Sequence, residues 1–370
     1  MNNGNTNYNN KNNTNNVRAV SEFRMTTVAM TIESLYEAYY DCRHNKRGTY
    51  AASRFEAGYE QYLLDLYREV RERTYTPGRS VAFIVDKPIQ REIFAAGFRD
   101  RIIHHWIALR LEPMFEQVFI DNSFNCRKGK GNSAAIAALH KDIQECSANY
   151  TRECWVMRLD LRGFFMSIDR RLLAGKLRRF IVDNYTGNDI DTLLYLTDTI
   201  ILNAPESGCL IKGSTDDWQG LPENKSLFTA KPGHGLPIGN LTSQLTANFL
   251  LDDTDHYIQD TLGIRMGRYV DDYYLVDADK FRLLEAVPLI REHLVQTAGV
   301  ELHPRKFYLQ SYTKGVKFIG AVVKRDRIYI SNRTISNAYK RIHKFNELAV
   351  DPDFIRKNAE AFAASINSYL

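Results

Sequence analysis

Tyr269-Val270-Asp271-Asp272 sets two adjacent carboxylates between apolar runs, Ile264 to Val270 and Tyr273 to Val276. Like charges at neighbouring positions are costly without a cation to hold. Two short flanking strands put the pair at the tip of a tight hairpin. A third carboxylate, Asp160, closes the run Trp155-Val156-Met157-Arg158-Leu159, and Phe165 follows five residues later. Three carboxylates at strand ends suit phosphoryl transfer assisted by two magnesium ions. Such ions take oxygen ligands, leave room for substrate phosphates, and stabilise both the attacking and the leaving oxygen. Asp160 and Asp271 read as the bridging ligands; by strand alternation Asp272 points to the other face.

The elements that must hold these groups are legible as alternating segments. From Val28 to Arg73, Leu35, Tyr39, Phe55, Tyr59, Tyr62, Leu63 and Leu66 recur at helical spacing, with a break near Arg47-Gly48. Thr76-Pro77-Gly78 ends that segment, and Val81 to Val85 reads as a strand leading into Lys87-Pro88-Ile89-Gln90-Arg91. Phe98 to Phe119 reads as one long helix with Ile102, Ile103, Trp106, Leu109, Leu111 and Phe115 along its apolar stripe. A hairpin is expected from Val316 to Ile330 around Lys324-Arg325-Asp326, then helices from Ile335 to Leu348 and from Pro352 to Leu370. Residues 1–16, mostly Asn, have little apolar content for a core and read as a disordered tail.

Asp160-Leu161-Arg162-Gly163-Phe164-Phe165 and Tyr269-Val270-Asp271-Asp272 match, in order and spacing, the first and third catalytic segments of reverse transcriptases, Asp-x-x-x-Phe-Phe and Tyr-x-Asp-Asp. Between them Gly235-Leu236-Pro237-Ile238-Gly239-Asn240-Leu241-Thr242-Ser243-Gln244 fills the place of the nucleotide-pocket loop and its following helix. The chain therefore resembles that family over most of its length. Ile238 stands where most members carry Gln. That departure, with Asn-Leu-Thr-Ser-Gln after it and Leu221 to Leu227 upstream, looks like the enzymes of diversity-generating retroelements among group II intron-like bacterial and phage reverse transcriptases.

The resemblance implies an α+β right-hand polymerase: a helical N-terminal segment over 17–80, fingers over 81–154, palm over 155–320 with inserted elements around 185–234, and a hairpin end with a short helical thumb over 321–370. It implies a metal set of Asp160, Leu161, Asp271 and Asp272 for two Mg²⁺ ions, with Mn²⁺ able to substitute. Nucleotide contacts fall on Lys87, Arg91, Phe164, Phe165, Pro237, Ile238, Gly239 and Lys306. Nucleic-acid contacts fall on Arg127, Lys128, Lys130, Asn240, Ser243 and Gln244. Phe165 would sit under the sugar and exclude a 2′-hydroxyl, although both Phe164 and Phe165 also read as core residues. Lys87 and Arg91 would neutralise the triphosphate. The Arg127 to Gly131 cluster suits template phosphates, since the spacing of a nucleotide phosphate loop is absent. Lys306 matches a position that protonates the leaving group, against a plain surface lysine.

Implied partners are template RNA, an RNA–DNA duplex, deoxynucleotides and a small, basic, oligomeric accessory protein that helps hold the template. Arg170, Arg171, Lys176, Arg178 and Arg179 spread around a helix and read as a solvated or accessory-protein surface. An apolar Ile238 offers shape and no hydrogen bond, so copying is expected to be error-prone, at template adenines by resemblance alone. Two other readings stay open: a phage-defence enzyme making untemplated or protein-primed DNA, and an RNA-binding scaffold without catalysis.

Composition permits all of this. The 370 residues, 44% of them hydrophobic, can bury a sizeable core, and a net charge of +5 suits a polyanionic partner without requiring one. The five cysteines are scattered without metal or disulfide spacing and read as reduced thiols. No apolar run approaches the roughly 18 residues of a membrane span, and no signal peptide is legible, so a cytoplasmic location is expected.

Overall fold

A computed structural model describes residues 30–44, 49–86 and 89–367. The Asn-rich 1–16 segment, the expected helix start at Val28, the break near Arg47-Gly48, and Lys87 lie outside those residues. The chain opens with helices α1 (Ile32–His44), α2 (Tyr50–Glu56) and α3 (Tyr59–Arg71). Strands β1 (Val81–Val85) and β2 (Arg91–Ala95) follow, then helix α4 (Phe98–Val118). The apolar stripe read from the sequence is the buried face of α4: Ile102, Ile103, Trp106 and Leu111 have no solvent exposure. Trp106 Nε1 donates to Ser34 Oγ at 3.0 Å and ties α4 to α1.

Helix α5 (Asn132–Cys146) leads to β3 (Trp155–Leu161), the short α6 (Phe164–Ser167), α7 (Arg170–Asn184) and α8 (Ile190–Ile201). An irregular stretch contributes β4 (Leu210–Ile211), which pairs parallel to β1 beside the antiparallel β1–β2 pair. Helices α9 (Leu241–Leu250) and α10 (Asp252–His256) precede β5 (Arg265–Tyr269) and β6 (Asp272–Asp277); α11 (Lys280–Ala298) then returns to β7 (Leu302–Ser311). The strands β8 (Val316–Phe318), β9 (Ala321–Val323) and β10 (Ile328–Ile330) form a small sheet, and helices α12 (Asn332–Leu348) and α13 (Pro352–Asn367) close the described chain. The Val316 to Ile330 hairpin is thus a three-stranded sheet, tight at Lys324 to Arg327. Helix α12 begins three residues earlier than its periodicity suggests, because the Ser331 hydroxyl accepts from the Thr334 amide at its start.

The central sheet runs β5-β6-β3-β7, all neighbours antiparallel. Its two faces are separated by alternation along the strands. Met157, Leu159 and Leu161 of β3 join Tyr273 and Leu275 of β6 in the large core shared with α4, α7, α9 and α11. Val156 of β3, with Tyr274 and Val276 of β6, packs instead against Leu139 and Ile143 of α5 and Phe318 and Val323 of the small sheet. Arg158 and Asp160 continue this second face toward the strand end. Among the described residues no helix is long and apolar enough to cross a membrane, and the five cysteines are unbridged.

Candidate active site

The β3–β6 register sets Asp160 directly opposite Asp272. Cross-strand partners share a face, so the expectation that Asp272 turns away from Asp160 fails. Alternation does not extend back to Asp271, because Val270 and Asp271 form the two-residue turn that links Tyr269 to its partner Asp272. Val270 has φ +59°, the left-handed region, where a β-branched residue is strained. Strain of this kind persists only where the surroundings enforce it. Burial, then the charges of Asp272 and Asp160, push the Asp271 carboxyl up to about 6. Burial also raises Asp272, opposed by Arg158.

Two cations answer these charges. Arg158, two residues before Asp160 on the same face, donates to Asp272 at 3.2 Å. Lys306 Nζ donates to Asp160 Oδ2 at 2.7 Å. Lys306 reaches Asp160 through an irregularity in β7. Leu159 pairs with Phe307 and Leu161 with Leu302, so β7 takes five steps (307 to 302) where β3 takes two (159 to 161). The surplus folds around His303, whose Nδ1 accepts from the amides of Arg305 at 3.2 Å and Lys306 at 3.1 Å. A bulge beside a site re-aims a side chain, and Pro304 is tolerated there because β7 is an edge strand. As the side chains stand, no three acidic, His or Cys groups among the described residues form a ready metal cage. The donor set nevertheless suits hard divalent cations: mutually repelling carboxylates, with Leu161 buried at the end of the same strand.

Phe164 and Phe165 enter through α6, whose start is Gly163 at φ +55°. A Cβ there would lie 2.6 Å from the Asn224 carbonyl, so only glycine fits. Phe164 is buried in the main core, while Phe165 is half-buried, packed against the small cluster of Ala82, Phe94, Met166 and Leu227. The loop carrying Pro237, Ile238 and Gly239 is fastened on both sides. Leu236 donates its amide to the Phe165 carbonyl at 2.8 Å, and Phe94 of β2 donates to the Ile238 carbonyl at 2.9 Å. Gly239, at φ +115°, lets the chain pass β2, where a Cβ would lie 2.9 Å from Ile93. The Ile238 side chain packs with Ala82, Phe94, Met166 and Leu227. Arg91, exposed on β2, is close enough for its charge to lower Asp271 against the burial that raises it.

The other expected contacts are mostly engaged within the fold. Asn240 is buried and its Oδ1 accepts from the Ala96 amide at 3.1 Å. Ser243 is buried on α9, and Gln244 accepts from Cys126 Sγ at 3.0 Å. Arg127 forks onto Glu116 and donates to the Ile120 and Ser123 carbonyls, at 2.7 and 2.9 Å, and Lys130 pairs with Asp121 at 2.6 Å. Lys128 is exposed. Arg170 corrects the surface reading of its helix. It is buried, its Nε donates to the Gly235 carbonyl at 2.6 Å, and its Nη2 forks onto Glu206 at 3.0 Å. Lys176 and Arg178 are paired with Asp253 and Asp198.

Sequence reasoning missed Arg158, Glu92 and Arg268. Arg158 was findable, since alternation from Asp160 puts it on the same face. Glu92 is buried on β2 and gathers the inserted stretch: Oε2 accepts from Trp218 Nε1 and Ser226 Oγ, both at 2.6 Å, and Oε1 from the Leu227 amide at 2.5 Å.

Residues 90–323 match the family model described as reverse transcriptase (RNA-dependent DNA polymerase). Protein YkfC of Escherichia coli (strain K12) is 27% identical over 184 residues, covering 50% of this chain and 41% of YkfC. Among solved structures, telomerase from Candida albicans in complex with a fragment of telomeric RNA aligns with TM-score 0.49 and 12% identity, over 76% of this chain and 50% of that one. Apo telomerase from Candida tropicalis, truncated from its C-terminal domain, aligns with TM-score 0.48 and 11% identity, over 68% of this chain and 55% of that one. The chain thus spans about half the length of these relatives, or less. With the family model matching well over half of it, from β2 to the end of β9, this α+β chain belongs to the reverse transcriptase family.

Proposed function

We propose that the protein is an RNA-directed DNA polymerase that makes error-prone cDNA from a template-repeat RNA by two-metal nucleotidyl transfer. The observation that carries the reading is the Asp160–Asp272 register with Asp271 in the adjoining turn, beside a loop fastened to β2. Asp160, Leu161, Asp271 and Asp272 would hold the cations, Mg²⁺ with Mn²⁺ as substitute. When bound, these supply charge neutralisation at the α-phosphate and lower the cost of the attacking 3′-oxygenate.

The chain's own residues do the rest by positioning. Phe165 and the Pro237–Gly239 loop form the nucleotide wall, with Phe165 excluding a ribose hydroxyl. Arg91 and Lys87 would neutralise the triphosphate, and Lys306, once released from Asp160, would give a proton to the departing pyrophosphate. Fingers over 81–154, palm over 155–320 and the helical thumb over 321–370 would enclose an RNA–DNA duplex, gripped by phosphates and 2′-hydroxyls and therefore sensitive to salt. An apolar Ile238 leaves base selection to shape. Selecting a base ten-thousand-fold takes about 5.5 kcal/mol of differential stabilisation, so loss of one polar contact is felt in fidelity.

The retroelement assignment, its small basic accessory protein and a cytoplasmic site of action belong to this proposal. Sequencing the products of Mg²⁺-dependent DNA synthesis on a defined RNA template tests it. Full-length cDNA with errors concentrated at template adenines supports the mutagenic reading; accurate cDNA reduces it to a reverse transcriptase without that specialisation. Products independent of the added RNA would favour a phage-defence enzyme.

A further inference from the structure

Arg268 lies inside β5, three residues before Asp271, and both it and its partner Asp255 have no solvent exposure. A buried ion pair is poor evidence for stability, since an apolar pair of similar volume often serves the fold as well. What a guanidinium supplies that an apolar side chain cannot is a planar fork of donors at fixed points. Its Nε donates to Asp255 Oδ1 and Oδ2 at 2.8 and 2.9 Å. Its Nη2 donates to the Asn248 carbonyl at 3.2 Å. Its Nη1 donates to Asn248 Oδ1 at 2.6 Å and to the Val270 carbonyl at 3.0 Å. The Arg268 backbone is fixed as well: its amide donates to Asn122 at 2.9 Å and its carbonyl accepts from Phe124 at 3.0 Å.

The Val270 carbonyl belongs to the peptide that leads into Asp271, and Val270 is the strained left-handed residue of the turn. We propose that Arg268 is a positioning residue for the catalytic carboxylates. Asp255 and Asn248 aim its guanidinium, and Nη1 holds the Val270 carbonyl so that the turn keeps its left-handed form and presents Asp271 beside Asp160 and Asp272. The inference rests on the nucleotidyl-transfer reading for its catalytic consequence, but the holding of the turn is a separate property.

The test uses the full chain with Arg268→Lys and, separately, the double variant Arg268→Met with Asp255→Leu, which replaces the ion pair by apolar side chains. A lysine can pair with Asp255 but lacks the fork that also reaches Asn248 and Val270. Thermal unfolding, amide hydrogen exchange at Asp271 and Asp272, and primer extension are measured for each. Both variants are expected to unfold cooperatively, somewhat below the wild-type temperature because the Asn248 and Val270 acceptors lose their donor, and to exchange the turn amides at least about 10-fold faster. Their kcat is expected to fall about 100-fold, the scale of a misplacement of about 1 Å, with the nucleotide KM little changed.

Adding Val270→Asn to Arg268→Lys is expected to recover turn protection and part of kcat, because Asn tolerates the left-handed region. The proposal is overturned if folded variants keep turn protection and kcat, or if unfolding temperature and kcat fall together without a turn-specific change and without recovery by Val270→Asn. If the wild-type chain makes no DNA while the exchange pattern is as expected, the polymerase reading fails and the positioning role stands.

Discussion

Replacing Glu92 with glutamine tests how the inserted stretch is tied to the nucleotide wall. Glu92 is 1% exposed and accepts three hydrogen bonds, two on Oε2 and one on Oε1. An amide keeps one acceptor oxygen. If its NH₂ takes the Oε2 place, Ser226 can turn its hydroxyl to accept, but the Trp218 N–H faces a donor. If it takes the Oε1 place, the Leu227 N–H does. Either way one buried donor is orphaned, costing about 1–3 kcal/mol, and the surviving bonds lose their charge-assisted strength, about another 1 kcal/mol. A total near 3 kcal/mol corresponds to a fall of about 4 °C in unfolding temperature for a chain of this size. Because Phe94 and Ala96, just beyond Glu92, hold the Ile238 carbonyl and Asn240, the nucleotide KM is expected to rise more than kcat falls. Calorimetry, amide exchange at Leu227 and steady-state kinetics with varied dNTP give the three readouts. An unfolding temperature within about 1 °C of wild type, with Leu227 still protected, would refute the reasoning.

Phe165→Ala should open the wall beneath the sugar and admit ribonucleotides; unchanged sugar selectivity in competition assays would remove that role from Phe165. Ile238→Gln should improve fidelity by adding a polar contact at the pocket loop, read by sequencing cDNA from a fixed template, and an unchanged error spectrum would count against it. Asp142 is buried and accepts from the Tyr274 hydroxyl at 2.8 Å, and burial pushes its carboxyl above the ordinary carboxylate range, up to about 6. The folded chain then binds this proton more tightly than the unfolded chain, so its contribution is fully present below the unfolded value and is lost as pH rises through about 6. Asp142→Asn should flatten the fall in stability over that window, and denaturant unfolding at several pH values checks it.

The parts of the site that chemistry dictates by residue type were legible in the sequence. Asp160, Asp271 and Asp272 stand out because carboxylates at the ends of apolar strands are costly without a function, and the long helix from Phe98 stands out by its period. What stayed hidden depends on pairing between distant segments. Lys306 reaches Asp160 only because β7 carries surplus residues opposite β3, a matter of register. Arg268 is conspicuous as a charge inside a strand, but its partner is one of Asp252, Asp253 and Asp255, and only the fold selects among them. The Arg170 helix has cations on several faces, and nothing local tells that one of them is buried on Gly235. Asp272 was assigned to the wrong face because alternation was counted through a turn rather than along a strand.

The central claim is that Asp160, Asp271 and Asp272 form a metal-dependent nucleotidyl-transfer site. Primer extension on an RNA template in Mg²⁺, comparing the wild-type chain with Asp271→Asn at matched unfolding temperature, tests it most directly. The account requires template-dependent dNTP incorporation by the wild type that disappears on chelation of the metal and in Asp271→Asn. Incorporation that survives Asp271→Asn would contradict it.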